Sequence, residues 1–308
     1  YGRPRWAAAK FFVPSLSRRS AGAALSVQTP SPGVRSRSHP GSVNSTLSAA
    51  PGGRRRALLQ VVADLPYFDR RARLFKLREH SERLIASARI LGFELPWSRD
   101  EIEAASNAVV RAMGISDGYV RPIAWRGAEQ MGVAAQETKI HMAIAVWEWP
   151  AYFSPEAKMK GIRMCWSKWA RPAPNTAPTA AKASGLYMIC TLAKHEAEAA
   201  GYDDALMLDW RGQLAEATGA NIFLAINGEL HTPTPDCFLD GITRRTVIGL
   251  ARTRQLKVVE RAIQPEELAK AQEVFLTGTA AEVTPVSEID RYRFTPGAVC
   301  KLMIDEYD

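Results

Sequence analysis

From residue 220 to 231 the chain reads Ala-Asn-Ile-Phe-Leu-Ala-Ile-Asn227-Gly228-Glu-Leu-His, two apolar runs on either side of Asn-Gly. That dipeptide fills both left-handed positions of a type I′ turn and is the strongest short hairpin signal a sequence can carry. The second half of the chain is thereby committed to a sheet. Around the hairpin, strands are expected at residues 161–169, 205–209, 256–261 and 273–278. Helices are expected from about Ala183 to Gly201, from Asp240-Gly-Ile-Thr243 to about Arg254, briefly from Pro265, and from Gly297 onward.

The first half has its own elements. Leu84, Ala88 and Leu91 recur at helical spacing. Ser98-Arg-Asp-Glu101 is a capping box, with Ile102, Ala105, Val109 and Met113 on one face and Gly114 as the stop. Strands are expected at 118–127 and 140–149, the second alternating Ile140, Met142, Ile144 and Val146 so that one face is buried. The run Trp147-Glu-Trp-Pro-Ala-Tyr152 reads as a loop between two domains. Mixed strands and helices in two blocks give a two-domain α+β or α/β architecture. The boundaries expected are a disordered basic segment at 1–65, a small domain at 66–147, an interdomain loop at 148–158 and a large domain at 159–308.

Charge separates the N-terminal segment from the rest. The net charge is +8, yet residues 1–63 hold ten Lys and Arg with no acid, leaving 30 basic and 32 acidic side chains beyond. The body offers no nucleic-acid groove, and no apolar run approaches the ~20 residues of a membrane span. Four scattered cysteines and five histidines make no disulfide framework and no metal-ligand spacing, and a reducing compartment fits them best. The Arg-, Ser- and Pro-rich arm has three readings: a transit peptide, a phosphate-binding arm, or a non-native segment such as an out-of-frame translation.

Chemistry collects in the second block. Lys182 stands among small uncharged residues, with no other ionisable side chain between Arg171 and Tyr187. Desolvation lowers the pKa of such a lysine and frees its amine to attack carbonyls. An ordinary lysine at a helix start reads the same way. Gly241-Ile-Thr243 and Thr277-Gly-Thr279 each present backbone N–H groups with a hydroxyl, as a phosphate site does and as a plain helix cap also does. Glu216 and Arg83 are the nearby charges of interest.

From about Leu74 to the end the chain resembles the branched-chain amino acid aminotransferases, pyridoxal-phosphate enzymes of fold type IV. The resemblance rests on Phe75-Lys-Leu-Arg-Glu-His-Ser-Glu-Arg83-Leu, Gly118-Tyr-Val-Arg-Pro122, Ala173-Pro-Asn-Thr-Ala-Pro-Thr-Ala-Ala-Lys182, Glu216-Ala-Thr-Gly-Ala-Asn221, Leu239-Asp-Gly-Ile-Thr-Arg244 and Thr277-Gly-Thr-Ala-Ala-Glu-Val-Thr-Pro285. It implies that Lys182 holds pyridoxal 5′-phosphate as a Schiff base and shuttles the Cα proton. Glu216 would face the pyridine nitrogen and Tyr187 the phenolic oxygen. Arg83, Ile242, Thr243 and Thr279 would hold the phosphate, with Leu239 packed beside the ring. Tyr119, Arg121, Trp149, Tyr152 and Ala280 would shape the substrate site, with Arg121 meeting the distal carboxylate of glutamate.

The implied reaction is ping-pong transamination between leucine, isoleucine or valine and 2-oxoglutarate, in a cytoplasmic homodimer or higher homo-oligomer without metal, membrane or nucleic-acid partners. D-amino acid aminotransferase and aminodeoxychorismate lyase share the fold and are the alternatives, together with an inactive remnant. The departure lies upstream. The family's Tyr-Gly…Phe-Glu-Gly-x-Arg strand region is replaced by Leu65-Pro-Tyr-Phe-Asp-Arg-Arg-Ala-Arg73, so the N-terminal part of the small domain is expected to be missing or replaced. A frameshifted 5′ end is favoured over an organellar transit peptide.

Overall fold

The computed structural model describes residues 73–149 and 158–307, together with the backbone of two short strands nearer the N-terminus. Tyr152, most of the expected interdomain loop and most of residues 1–65 lie outside the described residues. The chain divides into two compact units. The smaller takes in Ser15–Ser81 and Leu95–Trp149, and the larger takes in Glu82–Glu94 and Pro150–Asp308. Arg83 therefore belongs to the larger unit, although in sequence it falls within the small domain expected at 66–147.

In the smaller unit the strands are β1 (Trp6–Ala9), β2 (Ala24–Val27), β3 (Arg73–Phe75), β4 (Gly118–Arg126) and β5 (Ile140–Glu148). Their order is β2-β5-β4-β1-β3, with β4 and β5 antiparallel from Gly118 opposite Glu148 to Arg126 opposite Ile140. The alternation read in 140–149 is carried by buried Met142, Ile144 and Val146. Strand β1 pairs parallel with β4, and β2 pairs antiparallel with β5. Trp6-Ala-Ala-Ala9 and Ala24-Leu-Ser-Val27 show no side-chain period because four residues are too few to display one, but an unpaired strand edge recruits backbone whatever its side chains.

Helix α1 (Leu77–Ile90) spans the division between the units, and α2 (Arg99–Met113) belongs to the smaller. Ser98 caps α2: Glu101 N donates to its hydroxyl, and the Glu101 carboxylate accepts from the Ser98 amide at 2.9 Å. Gly114 ends the helix at φ 65°. The buried face is Ile102, Ser106, Val109 and Val110, so Ser106, bonded to the Ile102 carbonyl, takes a place that apolar periodicity alone assigned to Ala105.

The larger unit is built on β6 (Ile162–Trp166), β7 (Asp204–Leu208), β8 (Leu214–Ala217), β9 (Asn221–Ile226), β10 (Glu229–Pro233), β11 (Val258–Arg261), β12 (Glu273–Gly278), β13 (Glu282–Ile289) and β14 (Tyr292–Arg293). The path β9-β12-β13-β6-β7-β8 returns to β9 through Glu216 opposite Asn221, closing a six-stranded ring. The hairpin β9–β10 turns where expected, with Asn227 at φ 52° and Gly228 at φ 80°.

Helices α3 (Met188–Ala199), α4 (Ile242–Thr253) and α5 (Ala298–Tyr307) complete this unit. Ile222, Leu224, Val274 and Leu276 enter one apolar cluster, while Phe223 and Phe275, stacked at 5.1 Å, enter another with Val247 of α4 and Met303 of α5. Strand β9 is buried on both faces for this reason and reads as a continuous apolar run. No helix of the described residues is long and apolar enough to cross a membrane.

Replacing Ser98 by alanine removes a reciprocal cap. Chemical denaturation should show the smaller unit's transition weakened by about 1 kcal/mol, and an unchanged midpoint would contradict the capping role.

Candidate active site

The sequence around Lys182 is too rich in proline and small residues to form a helix, and it runs as a loop until a 3-10 turn, Ser184–Tyr187. The expected helix from Ala183 therefore begins with this tighter turn, and the α-helix proper starts at Met188. The consequence is geometric. The turn folds Tyr187 back so that Lys182 Nζ donates to its hydroxyl at 2.5 Å. Lys182 is anchored from behind by its own amide, which donates to Ser87 Oγ of α1 at 3.0 Å.

Glu216 sits in the four-residue strand β8 at the point where the ring closes. It is 9% exposed, and one oxygen lies 3.4 Å from Arg171 Nε. Its other oxygen accepts from Asn221 Nδ2 at 3.2 Å, and the same amide reaches the Leu239 carbonyl at 3.1 Å. Burial raises the Glu216 carboxyl to about 7, against the opposing pull of Arg171 and then Lys182.

A third group of residues favours an anion. Gly241 precedes α4, whose first-turn residues Ile242 and Thr243 contribute amide N–H groups that have no partner within the helix. The Arg83 guanidinium of α1 is lowered to about 10, by desolvation first and by Arg245, against the opposing effects of Tyr187 and Asp240. Gly241 lets Asn221 pack against the start of α4, since a Cβ there would lie 2.3 Å from Asn221 Oδ1. Among the described residues, the Thr277 hydroxyl is buried on the cleft wall without a hydrogen-bond partner.

These groups line one cleft. Arg83, Lys182, Tyr187, Glu216, Leu239, Ile242, Thr243 and Thr279 all reach it. Ala280 follows Thr279 in the turn between β12 and β13 but does not line the cleft. Tyr119, Arg121 and Trp149 gather in the smaller unit. Tyr119 stacks on Trp147 at 4.6 Å and lies 5.0 Å from Trp149, while Arg121 donates to the Tyr119 hydroxyl at 3.2 Å. Trp147, under the Arg121 guanidinium at 4.9 Å, is a member that sequence reading left in the loop. Arg171, Asn221, Thr277 and Ser87 were also missed as individuals. Asn221 and Thr277 stood inside quoted motifs, and Arg171 opened the stretch around Lys182.

The arrangement joins an amine held by a phenol, a buried acid and an anion-binding helix start. A phosphorylated aromatic aldehyde has complementary groups, and the buried Thr277 hydroxyl without a partner leaves it a polar contact. The family model for amino-transferase class IV matches residues 67–289. The chain belongs to the class IV aminotransferases. It is 42% identical over 224 residues to the branched-chain-amino-acid aminotransferase of Pseudomonas aeruginosa, covering 73% of each chain. Among solved structures it is similar to a T.th. branched-chain amino acid aminotransferase with pyridoxamine 5′-phosphate, at TM-score 0.73 and 41% identity over 76% of this chain and 78% of that one. The same enzyme complexed with N-(5′-phosphopyridoxyl)-L-glutamate matches at TM-score 0.72 and 40% identity, over 76% and 77%.

The raised Glu216 carboxyl carries a pH signature. The folded chain keeps that proton up to about pH 7, whereas an exposed glutamate releases it near 4.5. The folded state binds more protons between these values, so stability conferred below the lower one is lost as pH rises through the upper. The melting temperature of the wild type, measured relative to Glu216→Gln, should therefore fall between pH 4.5 and 7 and level above it. Parallel pH profiles for the two proteins would contradict this.

Proposed function

We propose that the chain transfers the amino group of branched-chain L-amino acids to 2-oxoglutarate in a ping-pong cycle, with pyridoxal 5′-phosphate in the cleft. Pyridoxal 5′-phosphate supplies a carbonyl that condenses with amines and a ring that withdraws electrons from the substrate Cα. The observation that carries the reading is Lys182 Nζ held at 2.5 Å by Tyr187 in the same cleft as Glu216 and the start of α4.

Each residue then has a task. Arg83, the Ile242 and Thr243 amides, and the Thr243 and Thr279 hydroxyls bind the phosphate. Leu239 packs against the ring. Glu216 holds a proton at the pyridine nitrogen. Tyr187 orients the Lys182 amine, which takes the proton from the substrate Cα and returns it on the other side of the exchange. Substrate selection is assigned to Tyr119, Arg121, Trp149, Tyr152 and Ala280, with Arg121 receiving the distal carboxylate of glutamate. That the T.th. enzyme was solved with a phosphopyridoxyl-glutamate complex supports glutamate as the second amino donor. A homodimer is the assembly proposed. The four free cysteines fit the reducing cytoplasm.

Lys182→Ala should reduce leucine transamination by at least about 10²- to 10⁴-fold, the range of a lost acid–base catalyst. Activity within tenfold of wild type would remove Lys182 from the mechanism. Preference for D-alanine over L-leucine as donor would move the chain to the D-amino acid branch. Arg121→Met should raise KM for 2-oxoglutarate about 10- to 100-fold, the worth of a charge-assisted contact, and leave KM for leucine nearly unchanged. Equal changes for both substrates would refute selection by charge.

A further inference from the structure

Arg171 has no part in the assignments above, yet it is one of the most deeply placed cations of the larger unit, at 3% exposure. Its amide donates to the Leu208 carbonyl, and its backbone bridges Asp209. Its guanidinium is held from several sides. Nη1 donates to the Leu186 carbonyl at 3.4 Å in the turn that carries Tyr187, and to Cys190 Sγ of α3 at 3.3 Å. Nε lies 3.4 Å from Glu216, the acid with which Arg171 pairs among the described residues. A buried guanidinium is costly unless an anion faces it.

The charges around Glu216 divide by element. Lys182 acts on it from just before the 3-10 turn, Cys190 from α3, and Arg171 from the segment after β6. Asp204 of β7 acts on Cys190 from further back and bonds Thr218 at 2.6 Å. Asn221 of β9 is neutral. Among the described residues, Arg171 and Lys182 are the cations that act on Glu216. Lys182 changes its protonation as it handles the substrate proton and cannot be a constant counter-charge. Arginine does not titrate in the working range.

We propose that Arg171 is a positioning residue that acts through Glu216, serving as the permanent counter-charge that favours the ionised form of this buried carboxylate. Arg171 Nε lies 3.4 Å from one carboxylate oxygen as an ion pair, and Asn221 donates to the other. Its bond to Leu186 ties the same guanidinium to the turn that aims Tyr187 at Lys182. The proposal rests on the reading that Glu216 serves the pyridine nitrogen, but the ionisation of Glu216 can be measured without any turnover.

The test is an infrared difference titration of the full chain freed of cofactor, with the Glu216 carboxyl band assigned by its loss in Glu216→Gln. Arg171→Met should move the midpoint upward by about one to three pH units, the effect of removing an adjacent opposite charge. Arg171→Lys should bring it back toward the wild-type value. Lys182→Met, which leaves Arg171 in place, should move it less than Arg171→Met does. An unmoved midpoint in a folded Arg171→Met protein would overturn the proposal. Should that variant not fold, Lys182→Met decides alone: a small shift supports Arg171 as the counter-charge, and a Glu216 protonated throughout the neutral range refutes it. Failure of the transamination reading would appear separately, as a protein that binds no cofactor while its Glu216 titration behaves as described.

Discussion

The large unit depends on the closure of its sheet at Glu216 and Asn221. Two short strands meet there by one residue pair, and the same two side chains are bonded to each other inside the closed end. Closing a ring removes sheet edges and fixes the spacing of everything attached to it. Here it forces a carboxylate into the interior, where it needs an opposite charge, and Arg171 and Lys182 are the cations supplied. The link Asn221–Leu239 carries the constraint on to the segment before α4, whose first turn opens the anion site. The acid and the phosphate-type site are therefore set by one piece of backbone geometry.

The chemistry at the other side of the cleft depends on a break in regular structure. A continuous α-helix from Ala183 would place residues 182 and 187 on different faces, because five residues turn it well past one full revolution. The loop of small residues and the 3-10 turn instead return Tyr187 to Lys182. The proline content before Lys182 keeps this stretch out of a regular helix. Ser87 of α1 holds the lysine backbone from outside. The helix that anchors Lys182 also contributes Arg83, so a segment nearly a hundred residues upstream serves both ends of the cleft.

What could be read from the sequence follows from how local each signal is. The Asn227-Gly228 hairpin, the Ser98–Glu101 cap and the start of α4 are set by neighbours within a few residues, and each lies where the residues place it. Strand β8 escaped because four residues containing a glutamate show no period, and β13 because Pro285 and alternating polar residues disguise it. Ring closure escaped with them, since it is a long-range pairing that no window contains. Arg171 was legible only as the edge of an uncharged stretch, and its partner lies 45 positions away. The N-terminal strands show the same limit: β1 and β2 are strands because β4 and β5 offer them edges. Arg83, Lys182, Glu216, Leu239, Ile242, Thr243 and Thr279 line one cleft, a grouping that the sequence motifs name together and that no single residue's neighbours announce.

The central claim is that Lys182 is the residue that holds the cofactor. Borohydride reduction of the cofactor-loaded protein, followed by peptide mass mapping, tests it directly. The account predicts a phosphopyridoxyl group fixed on the peptide containing Lys182. Label on a different lysine, or a protein that takes up the cofactor and yields no labelled peptide, would contradict it.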